Sequence, residues 1–185
     1  VLCAIDILVK DEEGWKAYEV KSSTSVSETY IEDTALQYYV INTAGVPLID
    51  MSVIHINNQY VKNGDLDIHQ LFTTASVLNE INPIQSNIPA IINDLKNTLQ
   101  KNIIPDSDIG LHCSNPYDCD FIGHCWKHIP AYSVFDIRGL FQTKKFDLYD
   151  MGAITLNQIP KDYDLNNSQW MQVNCEMEHK SHIDK

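Results

Sequence analysis

Apolar residues occupy both faces of Val1 to Lys10, the pattern of a central strand. The polar turn Asp11-Glu12-Glu13-Gly14 follows, and Trp15 to Ser22 reads as the return arm of a β-hairpin. Pairing the arms symmetrically about this turn sets Asp6 opposite Glu19. Residues so paired project to one face with Cβ atoms roughly 4.5–5.5 Å apart. Lys21, two positions on, shares that face. Two acids and a base on the buried side of an apolar ribbon are an exception that asks for a chemical reason.

The rest of the chain alternates helical and extended patterns. Ser25-Val26-Ser27-Glu28 has capping-box spacing, which predicts a helix with Ser25 as N-cap, running to about Ala44 and stopped by Gly45. Its apolar stripe is Ile31, Ala35, Tyr38 and Ile41, with Asp33 and Gln37 one turn apart on a neighbouring stripe. Leu48 to Asn57 reads as a strand buried on both sides, and Asn63-Gly64 as a turn. Phe72 to Val77 predicts a short strand. Asn79 to about Lys101 has helical periodicity, with Pro83 and Pro89 marking a first turn and a kink or restart. Ile103 to Pro130 is irregular. Beyond Ser133, short helices are expected around Phe135–Leu140, Phe146–Met151 and Ser168–His179. The expected division is a core over 1–130 and a helical linker or extension over 131–185.

Composition narrows the class. The chain has 185 residues, 44% of them hydrophobic, enough for a globular core. No apolar run is long enough to span a bilayer, and Asp6 breaks the first run with no basic region before it, so no membrane partner or signal peptide is read. A cytoplasmic setting is the expectation. The start at Val1 in mid-strand suggests a piece of a longer polypeptide. A formal net charge of −12 argues against a broad nucleic-acid footprint. It is compatible with a metal-dependent site, where the cation supplies positive charge locally.

An acid on one strand, with an acid and a lysine two residues apart on its neighbour, suits metal-assisted phosphodiester hydrolysis. Asp6, Glu19 and the Val20 carbonyl are oxygen ligands of the kind that hold Mg²⁺ or Mn²⁺. Lys21 would orient the attacking water or neutralise charge on the phosphoryl oxygens. The alternative is an ordinary ion pair on a wet sheet face, since such short strings are common by chance. A second group is Cys113, Cys119 and Cys125, in a Cys-x5-Cys-x5-Cys run followed by Trp126. Zinc and iron–sulfur centres normally take four ligands. His112 and His124 are candidates for zinc, Cys3 reads as a core residue and Cys175 as a partly buried helix residue. His55, His69, His128, His179 and His182 read as structural or solvated, and Arg138, Lys144 and Lys145 as a solvated basic face. Asn57 to Tyr60 reads as a turn.

The hairpin, the Glu19-Val20-Lys21-Ser22-Ser23 run and a helix bearing Gln37 resemble the PD-(D/E)xK nuclease superfamily, in its RecB-like exonuclease branch. That branch carries Gln-x-x-x-Tyr on this helix; here Ile41 stands where the tyrosine would be, with Tyr38 and Tyr39 nearby. The resemblance implies an α/β, restriction-endonuclease-like mixed sheet flanked by helices, with a cysteine-containing loop and a small helical extension. It implies Asp6, Glu19, Lys21 and Gln37 as catalytic residues and DNA as substrate. The three downstream cysteines are similar to those holding a 4Fe-4S cluster in some RecB-like nucleases, with the fourth ligand outside this chain and zinc as the alternative. From Ile5 to about Pro160 the chain resembles a bacterial family that adds a Phe-Asp-Ile-Arg-Gly-Leu linker and a downstream RNase H-like domain. Two other readings stand beside it: a non-catalytic nuclease-fold module that binds nucleic acid or positions a neighbouring domain, and a zinc-stabilised interaction domain.

Overall fold

The computed structural model describes residues 1–181. Packing divides the chain into two compact units, Val1–Pro105 and Asp106–Lys185. The expected boundary at 130 falls inside the second unit, so the cysteine-bearing segment belongs with the C-terminal residues.

The first unit is built on a four-stranded mixed sheet in the order β1-β2-β3-β4. β1 (Ile7–Lys10) pairs antiparallel with β2 (Trp15–Val20). Its register, Ile7 with Tyr18 and Lys10 with Trp15, is the symmetric one expected from the turn. The turn holds because the Asp11 carboxylate accepts from the Glu13 and Gly14 amides and pairs with Lys16. Gly14 takes φ +147°, and a Cβ there would lie 2.9 Å from Ile49 Cγ2. Only glycine suits both conditions.

After β2 the chain crosses through α1 (Glu28–Thr43) to β3 (Leu48–Ile56), which lies parallel to β2. β4 (Phe72–Ser76) returns antiparallel on β3. β3 is an inner strand: Met51, Ser52 and Val53 are all buried, so its apolar run needs no alternation. A single turn of helix, α2 (Ile68–Leu71), precedes β4, capped by Asp67. α3 (Leu78–Ile81), a 3₁₀ segment (Asn82–Asn87) and α4 (Ile88–Leu99) complete the unit. Pro83 and Pro89 each fall in the first turn of a new segment, which is why one helical pattern becomes three pieces. Ala17, Met51 and Val53 of the sheet pack against Ala35 and Ile41 of α1, and against Val77, Ile81 and Ile88. Cys3 packs at the edge of this core.

Two expectations are corrected. β1 is an edge strand, not a central one, and Ile7, Leu8 and Val9 are each about two-fifths exposed. An apolar run on both faces does not distinguish a central strand from an edge strand. The N-cap position of α1 is Ser27 rather than Ser25, with no side-chain cap bond, so Glu28 opens the helix instead of closing a capping box. The chain is bent before this point, where the Ser23 hydroxyl donates to the Ser25 carbonyl. At the other end Gly45, at φ +89°, ends the helix as expected.

The second unit is made of short helices. α5 (Ile122–Cys125), α6 (Gln142–Asp150) and α7 (Asn167–Met177) are joined by 3₁₀ turns at Leu111–Cys113, Trp126–His128, Val134–Asp136 and Leu156–Gln158. It has its own core of Val134, Ile137, Leu140, Leu148, Ala153, Leu156, Ile159, Leu165 and Val173. The Phe135–Leu140 stretch is therefore core-forming and not an open linker. Lys144 and Lys145 are not a free basic face either. Lys144 pairs with Asp164, and Lys145 donates to the Phe135 carbonyl. Arg138 is exposed. His182 lies outside the described residues.

Candidate active site

The candidate site is built where β2 ends beside α1. Glu19 is the last core-facing residue of β2, on the same face as Ala17, and is only 8% exposed. A carboxylate at that depth needs hydrogen-bonding partners. It has two: the Lys21 ammonium lies 2.8 Å from Oε1, and Gln37 Nε2 donates to Oε2 over 3.1 Å. Strand alternation supplies Lys21, and α1 supplies Gln37.

Asp6 sits one residue before β1. Continuing the hairpin register by one pair sets it across from Glu19, as the turn predicted. Its carboxylate is exposed rather than on the buried side, and one oxygen accepts from the Val20 amide at 2.8 Å. Asp6 thus ties the start of the hairpin to its end. The same helix that brings Gln37 also brings two residues to which sequence reasoning gave no role. Asp33 Oδ2 lies 2.8 Å from Lys21 Nζ, and the Tyr30 ring centroid lies 5.2 Å from it. Tyr30, Asp33 and Gln37 recur at spacings of three and four along one side of α1. The available signal was the spacing of four between Asp33 and Gln37.

Burial alone would push the Lys21 ammonium down. Hydrogen bonds to Asp33 and Glu19, with their charges, outweigh it and hold the group above its ordinary value. Lys21 is therefore a cation here and not a base. Two carboxylates, Glu19 and Asp33, flank this one ammonium, and Asp6 lies beyond them at the Val20 amide, so acids outnumber the base here.

The Gln37 side-chain oxygen is buried and accepts no hydrogen bond among the described residues. An orphaned buried acceptor costs about 1–3 kcal/mol. It marks a position suited to water or a bound ligand beside Glu19. Asp6, Glu19 and the Val20 carbonyl are hard oxygen donors. Mg²⁺ commonly takes one or two carboxylates and completes its shell with water and substrate oxygens. The donor set thus fits such an ion in kind. No group of three or more His, Cys, Asp or Glu side chains stands close enough to hold a metal among the described residues.

That last finding bears on the cysteines as well. Cys113 is buried and accepts from the Gly110 amide, Cys119 is exposed and Cys125 is half-buried; none is in a disulfide. With His112 and His124 they do not converge into a ligand set for zinc or a 4Fe-4S cluster. The segment is held instead by backbone bonds, such as Cys119 N–H to the Cys113 carbonyl, and by Trp126 packed edge-on to Phe135 at 4.7 Å.

No protein-family model, no curated protein and no solved structure matches the chain.

Proposed function

We propose that the first unit is a metal-dependent nuclease module of the restriction-endonuclease-like type, hydrolysing phosphodiester bonds in DNA within a larger cytoplasmic DNA-processing protein. The downstream partner in that reading is an RNase H-like domain of the same polypeptide. One observation carries it: Glu19, Lys21 and Gln37, from a strand and a crossing helix, meet in a hydrogen-bonded group that Asp6 closes from the other arm of the hairpin.

Asp6, Glu19 and the Val20 carbonyl would hold the ion. A divalent cation so bound supplies Lewis acidity to a phosphoryl oxygen and makes a nearby water a better nucleophile. Lys21, held as an ammonium, neutralises charge that develops on the phosphoryl oxygens. Gln37 fixes Glu19 through its amide and keeps its oxygen toward the orphaned position, where it orients water. Cys113, Cys119 and Cys125 have no part in this mechanism.

The test is nicking of supercoiled plasmid DNA with Mn²⁺. Glu19→Ala and Lys21→Ala are each expected to abolish it; unchanged cleavage by either variant removes the hairpin from the chemistry. A second reading, a non-catalytic module of the same fold, is favoured by one observation: both Glu19 oxygens are already engaged by Lys21 and Gln37. Calorimetric titration separates the two. Mn²⁺ binding that is lost in Asp6→Ala supports the enzyme, and no binding to the unaltered chain supports the module.

A further inference from the structure

Lys21 follows the last residue of β2 on a flexible four-carbon stem. Glu19, its neighbour in the same strand, fixes only one direction of the ammonium. A second direction is fixed from α1, where Asp33 Oδ2 lies 2.8 Å from Nζ, as Glu19 Oε1 does from β2. The Tyr30 ring, 5.2 Å away, bounds a third side. These partners leave the Lys21 side chain 20% exposed. An ammonium has three donors, and two are spent on carboxylates. The remaining N–H has no partner among the described residues.

We propose that Asp33 is a positioning residue: with Tyr30 it clamps the Lys21 ammonium against Glu19, so that one N–H of fixed direction is left for a phosphoryl oxygen of the substrate. Asp33 touches neither the phosphodiester nor the ion. It acts through Lys21, and its functional sense rests on the nuclease reading above. Holding a catalytic group in a near-attack geometry converts a search over rotamers into a preset orientation. The arrangement also explains the side-chain choice on α1. Asp33 and Gln37, one turn apart, each hold one member of the Glu19–Lys21 pair.

The experiment uses the full chain and three variants, Asp33→Asn, Asp33→Ala and Asp33→Glu, with two readouts. The first is the ¹⁵Nζ resonance of Lys21, which is visible when the ammonium is ordered and hydrogen-bonded. It is expected in the unaltered chain, lost in Asp33→Asn and Asp33→Ala, and restored in Asp33→Glu. The second is Mn²⁺-dependent plasmid nicking. kcat is expected to fall roughly 10–100-fold in Asp33→Asn and Asp33→Ala with KM little changed, and to recover in Asp33→Glu. An unchanged Lys21 resonance in Asp33→Asn overturns the clamp, as does a change in KM alone. Loss of the resonance with no nicking by any form, the unaltered chain included, keeps the clamp and removes the nuclease reading.

Discussion

At the scale of single residues, the register of the hairpin decided the site. Asp6, Glu19 and Lys21 were legible because the turn sequence fixes the pairing and period-two alternation fixes the face. Gln37 was legible as one residue of a helix. Asp33 and Tyr30 were not, because a helix presents several stripes, and only the crossing direction of α1 shows which stripe meets β2. A second residue-level case lies in the C-terminal unit. Burial first, and then a hydrogen bond to Asp108, pushes the Tyr149 hydroxyl up to about 12. His128 lies 2.9 Å from the same oxygen. Because the folded value is raised above the ordinary tyrosine value of 10.0, the neutral phenol favours the folded state. This contribution is intact below pH 10 and is lost as pH rises from about 10 to about 12. Alongside Tyr163, which burial also raises, ultraviolet titration is expected to show Tyr149 ionising late. Asp108→Asn should lower its midpoint only part of the way, since burial is the larger cause. A midpoint unchanged in that variant would assign the shift to burial alone.

Among elements, the one with least freedom is the turn between β1 and β2. Gly14 combines a positive φ with a backbone approach that leaves no room for a Cβ beside Ile49. Gly14→Ala is expected to cost about 1 kcal/mol or more, read as a lower midpoint in urea. Loosening the hairpin also moves Asp6 relative to Glu19, so the same variant should lose Mn²⁺-dependent nicking at temperatures where it remains folded. Full stability in Gly14→Ala would show that the turn relaxes without strain. The elements themselves were largely legible in the sequence: both arms of the hairpin, α1, β3, β4 and the proline-broken helices all have clear periodicity or stop signals. The position of β1 at the sheet edge was not, because strand order is set by pairing partners distant in sequence. The start of α1 was misread by two residues because capping-box spacing favours Ser25, whereas the helix starts after Ser27 with no side-chain cap bond.

For the molecule as a whole, two separate apolar cores exist, one around Met51 and Val53 and one around Val134, Ile137 and Leu148. The sequence signalled a change of character near Ser133, where the second core begins to show its apolar residues. It did not signal Pro105, because the segment after it is irregular and carries few apolar anchors. Lys101 stands just past α4 and is exposed, as are Asn102 to Asp108. Brief trypsin treatment is expected to cut after Lys101 among its first sites, releasing fragments that each contain one core. Survival of that bond while bonds inside the sheet are cut would contradict the division. In the nuclease reading proposed above, the overall charge of −12 is compatible with DNA as a substrate because one bound cation would supply positive charge locally. No helix among the described residues is long and apolar enough to cross a membrane.

The hydrogen bonds that define the site all join residues of the hairpin and α1 or the segment just before them. Asp6 to Val20 spans 14 positions, Lys21 to Asp33 spans 12, and Gln37 reaches Glu19 across 18 and Ala4 across 33. Doubling a loop adds only about 0.6 kcal/mol of closure cost. The whole constellation therefore lies within the hairpin and the first helix, with no ligand drawn from β4 or from the second core. During synthesis every one of these residues has left the ribosome once α1 has emerged. Assembly of the site then waits on β3, which pairs with β2 and packs under α1, and is complete before the chain that builds the second core is made.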